Sequence, residues 1–402
     1  RYFSAQNTLL NTNAFNTIPT QNSQIYTGQL DYVGSLGSLS ITSGVKYSGI
    51  NSNSKQEFSI VNGSINQDAI LNDNFDYNED IYALYFSFEK EWEKWSLKAG
   101  LRGEYTDANG NSRTLGVVNT QEYLELFPTF YILNNPSDNH SFGFDYSRRI
   151  DRPRFQSLNP YRYFLNENNF LEGDPNIQPA IGNKVKFSYT YKNKLTFNLY
   201  YDHIENAIAR LPFQNNQDLT LRGLNTNLNF ERQYSLDIIY SEFVTNWMWM
   251  SIYSSFFNMK NEFKALEDTS NVQQEINSML LQTQNYFILD SSGTFTSTVT
   301  LDFLSDYLLG SYKYDNPQFA VNFDLQKTFL DGRLALTFSS EDIFNTRNIR
   351  TTSQYRNQNN SFLAMPEFQT IRVGVRYKFG NFKLNDNSRS MNVTEEDRLI
   401  VE

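Results

Sequence analysis

The sequence predicts an all-β chain, a transmembrane antiparallel up-and-down β-barrel, on three observations. Apolar and polar residues alternate in short runs from end to end, tight turns and long polar segments take turns between the runs, and tryptophans flank two of the tight turns. The 402 residues show no composition shift or Pro/Gly/Ser linker and therefore read as one unit. Mean hydropathy is −0.55, and no stretch approaches the roughly 18 apolar residues of a membrane helix. That value still suits a barrel, because alternation dilutes each apolar residue with a polar one.

The runs follow in order. A first strand near Tyr26 to Val33 meets a short turn near Ser35. Tyr82, Leu84, Phe86 and Phe88 then alternate with Ala83, Tyr85, Ser87 and Glu89; beyond a Glu91-to-Trp95 turn, Leu97, Ala99, Leu101 and Tyr105 alternate with polar or small neighbours. A third pair joins Leu124, Leu126, Phe130 and Ile132 to Phe142, Phe144 and Tyr146 through the Asn134 to Asn139 turn. The clearest hairpin is NKVKFSYTYKNKLTFNLYYDHI. Here Val185, Phe187, Leu199 and Tyr201 share one face, and Lys184, Lys186, Thr196 and Asn198 the other. Later runs turn near Thr245-Asn246, Asp290 to Gly293 and Leu330 to Gly332, and the last sets Ile371, Val373, Val375, Tyr377 and Phe379 against Arg372, Gly374, Arg376 and Lys378. About 15 or 16 strands are visible at roughly 10 residues per span.

Between the tight turns lie seven longer segments, at 50–78, 107–120, 148–182, 205–230, 260–277, 305–316 and 346–366. Long structureless connections are uncommon in compact soluble domains but normal on one side of an outer-membrane barrel. The tight turns are expected in the periplasm, with the long segments outside and the C-terminus periplasmic. Trp92, Trp95, Trp247 and Trp249 fit the interfacial aromatic belt. On this reading Val185, Phe187, Leu199, Tyr201, Val373 and Val375 meet lipid, while Lys184, Lys186, Arg372 and Arg376 face an aqueous lumen. Residues 1–380 form the barrel and 381–402 a polar periplasmic tail. The first clear strand runs from outside down to a short turn, whereas a complete barrel would begin in the periplasm, so earlier strands are expected to be missing or to come from residues not in this chain.

Composition excludes several classes. A formal charge of −10 disfavours nucleic acid, and the absence of cysteine removes disulfides and thiolate metal sites. Only His140 and His203 are present, far apart along the barrel. His140-Ser141 is no catalytic pair, because adjacent strand residues point to opposite faces. Asp107-Ala-Asn109-Gly-Asn111 departs from a calcium loop at Ser112 and Val118, and Asn109-Gly110 reads instead as a turn. No catalytic residue, metal site or cofactor is expected.

The segment SRRIDRPRFQSLNPYRYF is the exception. Arg148, Arg149, Arg152, Arg154 and Arg162 interleave with Phe155, Tyr161, Tyr163 and Phe164. Forked hydrogen bonds and ring stacking from Arg148, Arg149, Arg152, Arg154, Tyr161, Arg162 and Tyr163 suit an anionic or sugar-like ligand or a partner protein. The alternative is a loop folded into the mouth, with its arginines paired to lumen carboxylates such as Asp145.

Three stretches carry a family resemblance: Ser147-Arg148-Arg149-Ile150-Asp151-Arg152-Pro153, Leu158-Asn159-Pro160-Tyr161, and Phe170-Leu171-Glu172-Gly173-Asp174-Pro175-Asn176-Ile177-Gln178-Pro179. With the closing Arg372-to-Gly380 strand, the chain from about Tyr82 resembles the TonB-dependent-receptor-like outer-membrane β-barrel family. The resemblance implies a 22-stranded barrel in a Gram-negative outer membrane, a lumen plug, and a box that touches a periplasmic energy-transducing protein. The sequence shows neither plug nor box, and Gly173, Pro175 and Pro179 read as structural. The implied function is uptake of a nutrient or metal chelate through loops and lumen. The alternative is a non-enzymatic structural subunit of a larger outer-membrane secretion or assembly complex, contacting other outer-membrane proteins or surface lipoproteins.

Overall fold

The computed structural model describes residues 14–62 and 72–379, together with the short strands Tyr2–Phe3 and Leu9–Asn11. The expected tail at 381–402 lies outside the described residues. Fifteen strands form one antiparallel sheet: β1 Ala14–Leu36, β2 Leu39–Asn62, β3 Asp73–Glu91, β4 Trp95–Ser112, β5 Val117–Ser137, β6 His140–Asp151, β7 Ala180–Tyr191 and β8 Leu195–Glu205, then β9 Phe230–Thr245, β10 Met248–Lys264, β11 Asn271–Ile288, β12 Phe295–Leu304, β13 Gln318–Phe329, β14 Leu334–Glu341 and β15 Thr370–Tyr377. Each strand pairs with its neighbours in sequence, which is the up-and-down order of a barrel wall. Among the described residues, β1 and β15 each have a single partner in that sheet.

The seven tight turns fall where alternation breaks, all at one end of the strands. Positive φ at Gly37, Lys192, Asn193, Gly293, Leu330, Asp331 and Gly332 closes four of them. Asp290 organises another feature of its turn: its carboxylate accepts the Thr294 and Phe295 backbone N–H groups at 2.9 and 3.0 Å and Lys327 Nζ at 2.8 Å.

Three of the expected long segments are largely strand. Residues 107–120 continue β4 and β5 through a turn at 113–116, 260–277 continue β10 and β11 around 265–270, and 50–78 include the ends of β2 and β3. The first strand likewise begins at Ala14, well before Tyr26. Asn109-Gly110 is no turn, but lies inside β4 with Gly110 opposite Tyr77. A Cβ at Gly110 would stand 3.1 Å from the Phe75 ring, so packing against that ring fixes the glycine. The remaining long segments do fold over the opposite end. Residues 152–179 carry a four-residue helix, Phe155–Leu158, and a hairpin of Arg162–Asn166 with Asn169–Glu172. A second hairpin, Ile208–Asn215 with Thr220–Asn227, joins it in a four-stranded sheet through a parallel pairing. Tyr307–Leu309, Tyr312–Tyr314, Ile349–Tyr355 and Gln358–Ala364 form another four-stranded sheet.

The two faces of the wall differ as alternation requires. On one, Ile50, Phe75, Tyr77 and Ala108 are buried against Phe155, Leu158 and Ile177 of the 152–179 segment. Each large side chain so buried contributes about 1.5–3 kcal/mol, which holds that segment against the wall. On the other face, Leu84, Phe86, Leu124, Phe187, Leu199, Val373 and Val375 are exposed, Val373 to 79%.

Candidate functional site

At the loop end, a cavity of about 1530 Å³ opens beneath the two small sheets. Its wall comes from β6 to β9, where Asp145, Ser147 and Arg149 of β6 alternate into it beside Lys184 and Lys186 of β7. Its roof comes from the 152–179 segment and the 208–227 hairpin, with Tyr312 and Tyr314 closing one side.

The arginine-rich segment divides into two sets. Arg149, Arg154, Tyr161 and Tyr163 line the cavity. Tyr163 is 43% exposed, and burial raises the Tyr161 hydroxyl pKa, so the phenol stays neutral. Arg148, Arg152 and Arg162 serve the fold. Arg148 Nη1 donates to Glu125 at 2.7 Å and to the Leu126 carbonyl at 2.5 Å, where the β5–β6 ladder has ended. Arg162 Nε donates to Glu172 at 3.2 Å and stacks 4.6 Å from the Phe170 ring.

Arg152 touches the cavity but is largely buried. Its Nη2 donates to Glu104 Oε2 at 2.8 Å and Thr106 Oγ1 at 3.0 Å, with Glu79 at 3.6 Å. Burial works against its charge, yet Tyr123, Glu104 and Glu79 outweigh that and raise its pKa. Asp145 instead pairs with Lys186 at 3.3 Å. Among the described residues, Arg148, Arg152 and Arg162 pair with carboxylates other than Asp145.

Further contacts fix the segment. Gln56 Nε2 donates to the Arg162 carbonyl at 3.0 Å, Gln121 Nε2 to the Ile177 carbonyl at 2.9 Å, and Asn119 to the Pro175 carbonyl. A Cβ at Gly173 would overlap the carbonyl oxygens of Ser157 and Asn159, which explains the glycine.

Two cavity cations were not among the residues the sequence singled out. Arg210 and Arg222 arrive on the 208–227 hairpin, where Arg210 Nε donates to Asn225 at 3.2 Å and Arg222 lies 3.6 Å from Glu172. The alternation in Ala209-Arg-Leu-Pro-Phe-Gln214 and Thr220-Leu-Arg-Gly-Leu-Asn225 was the available clue. Elsewhere, Arg372 forks onto Glu341 at 2.6 and 3.1 Å on the last strand, and the cavity does not include it or Arg376.

A wide up-and-down wall whose long connections roof a cavity at one end defines a class, the outer-membrane β-barrel. The chain belongs to the outer membrane protein beta-barrel family, whose model matches residues 1–377. Among solved structures, the siderophore receptor PiuA from Acinetobacter baumannii is 12% identical with a TM-score of 0.59, over 90% of this chain and 56% of its own. The ferric yersiniabactin uptake receptor FyuA from Yersinia pestis is 10% identical with a TM-score of 0.58, over 91% and 55%. The copper transporter OprC is 10% identical with a TM-score of 0.63, over 90% and 59%. These likenesses show the TonB-dependent-receptor type of barrel fold, and the chain spans a little over half the length of those proteins. No curated protein matches the chain in sequence.

Proposed function

We propose that the chain forms the barrel of an uptake receptor that admits a nutrient or metal chelate through its loops and lumen, by binding and without covalent chemistry. The observation that carries this is the cavity of about 1530 Å³, where Arg149 and Lys184 stand beside Tyr161, Tyr163 and Tyr200. Cations and phenols at one mouth offer charge-assisted hydrogen bonds and ring faces to an anionic chelate. The names of PiuA, FyuA and OprC support the same direction.

In this reading, Val185, Phe187, Leu199, Tyr201, Val373 and Val375 face lipid, and Lys184, Lys186, Arg372 and Arg376 face the lumen. The tight turns are periplasmic and the roof extracellular. Coupling to a periplasmic energy-transducing protein would be made by residues other than these.

The test is native mass spectrometry of the whole protein isolated from the outer membrane, wild type and Arg149→Gln/Tyr163→Ala. A small anionic ligand held by the wild type and lost from the variant is the expected result. A protein machine that co-purifies in stoichiometric amount, with no small molecule in either form, would replace uptake with a scaffolding role.

A further inference from the structure

The wall carries a second surface, on the face opposite the cavity. Tyr47, Tyr82 and Tyr105 form a row across β2, β3 and β4, with ring centroids 5.2 and 6.3 Å apart. Tyr47 OH donates to Asp80 at 2.7 Å and Tyr105 OH to Glu122 at 2.6 Å, so both hydroxyls point toward the loop end. Tyr82 lies ten positions before Trp92, and Tyr105 ten after Trp95. At about 3.3 Å per residue and a tilt near 40°, ten residues span roughly 25 Å, the height of a barrel's apolar band. The tyrosine row therefore marks the outer interface, with the tryptophans at the inner one.

The strands do not stop there. Beyond the row, β1 to β4 continue as regular ladder whose outward face is mostly amide and carboxylate, with Ile18, Thr20 and Lys55 among them. A shallow groove of about 470 Å³ crosses it, lined by Asn22, Gln24, Asn51, Asn53, Asn78 and Asn111 among others. Asn53 Nδ2 donates to Asn74 at 3.0 Å and Asp76 at 2.6 Å, Arg113 closes onto Asp76, and Asn109 donates to Thr120 at 3.2 Å. Asn22, Asn51 and Asn78 are exposed.

We propose that this outward polar wall binds the neutral saccharide headgroup of an outer-leaflet glycolipid. The inference rests on the topology given under the proposed function, in which the roof is extracellular. Planar amides and carboxylates offer paired donors and acceptors at the spacing of vicinal hydroxyls, and the tyrosine edges below offer a ledge for the ring and the first acyl carbons. Charge selects the headgroup: the cations of this wall are taken up, Lys55 by Glu57 and Arg113 by Asp76, and Asp80, Asp107 and Glu122 add negative charge that repels phosphate, so a neutral sugar fits better than a phosphorylated one. A protein partner is disfavoured, because the groove lining is Asn, Gln, Ser, Asp and Arg, with none of the apolar anchors that centre such interfaces.

The experiment uses the whole protein in nanodiscs of phosphatidylethanolamine doped with digalactosyldiacylglycerol, and counts retained lipids by native mass spectrometry. Wild type and the turn variant Asn246→Ala should retain the galactolipid, and Asn51→Ala/Asn78→Ala should retain it roughly tenfold less. Preserved heat-modifiable migration of the double variant will show that it is folded. Equal retention in all three proteins overturns the proposal, as does preference for the phospholipid. Soluble maltoheptaose is the second arm: binding of this sugar without galactolipid retention would overturn the membrane source. A failed galactolipid result alongside a ligand held in the cavity would leave the uptake reading standing, so the two fail separately.

Discussion

At the residue scale, Arg152 is the charged contact at the base of the 152–179 segment that ties it to the wall. Its guanidinium sits between Glu79 and Glu104, which are 2% and 6% exposed, and removing it takes a cation from both, Glu104 keeping its pair with Arg102. Breaking such a pair from one side costs about 3–5 kcal/mol. Arg152→Gln should therefore detach the 152–179 segment and expose it to protease in the folded barrel, while Arg148→Gln, at a half-exposed pair, leaves it protected. Equal protection of both variants would show that the apolar contacts of Phe155, Leu158 and Ile177 suffice without the ion pair. Asp290 gives a pH prediction at the other end. Lys327, the Phe295 N–H and the Thr294 hydroxyl hold its carboxyl well below the usual carboxylate range. A depressed folded value means that the turn's electrostatic stabilisation is full above the unfolded value of about 3.9 and is lost as pH falls through the lower folded one. The Thr294 and Phe295 amide resonances should thus stay unchanged down to about pH 4 and shift only below it, with Asp290→Asn abolishing the step. A step at or above pH 4 would contradict the assigned hydrogen bonds.

At the element scale, the last strand tests which face is apolar. Val373 lies opposite Phe338 and Val375 opposite Leu336 on β14, all four on one face, while Arg372 lies opposite Ser339. Placing a charge among the exposed valines, as in Val373→Arg or Val375→Arg, should destabilise the barrel by roughly 2–4 kcal/mol near the midplane. Arg372→Gln removes an exposed ion pair and should cost less than about 1 kcal/mol. Reversible unfolding in lipid vesicles reads both, and equal tolerance of the two faces would sink the assignment. Elements of this kind were legible because one side of each is apolar. The hairpin around Asn193 pairs Val185 with Tyr201 and Phe187 with Leu199, as its alternation implies. Past the tyrosine row the signal changes sign on β3, where Phe75 and Tyr77 face inward against Asn74, Asp76 and Asn78, and fades on β2, where Ser48 and Ser52 face inward and Asn51 and Asn53 outward. Asn109-Gly110 misled for another reason: a local turn signal yielded to the packing of Gly110 on Phe75. The arginine segment was visible as a site, but sequence spacing could not sort Arg149 from Arg148 and Arg152. Their partners Glu79, Glu104 and Glu125 lie on strands 23 to 73 positions away, and the cavity's Arg210 and Arg222 come from a different loop.

At the scale of the whole molecule, the sided arrangement of connections is the feature on which the functional reading depends. Seven tight turns gather at one end of the sheet, and the helix, both small sheets and the cavity gather at the other. Chain connectivity makes this a single choice: if one tight turn is periplasmic, all are, and every roof segment is extracellular. Asn168 and Asn271 are exposed at the roof end and Asn193 at a tight turn, so single cysteines at these positions report the choice without disturbing packing. These 402 residues contain no cysteine to add background. An impermeant maleimide on intact cells should label Asn168→Cys and Asn271→Cys and leave Asn193→Cys unreacted until the outer membrane is permeabilised. The reverse pattern would put the cavity of Arg149, Lys184 and Tyr163 on the periplasmic side, where it could not capture an external solute. It would also move the amide wall away from the outer leaflet, so both the uptake reading and the saccharide surface would fall together.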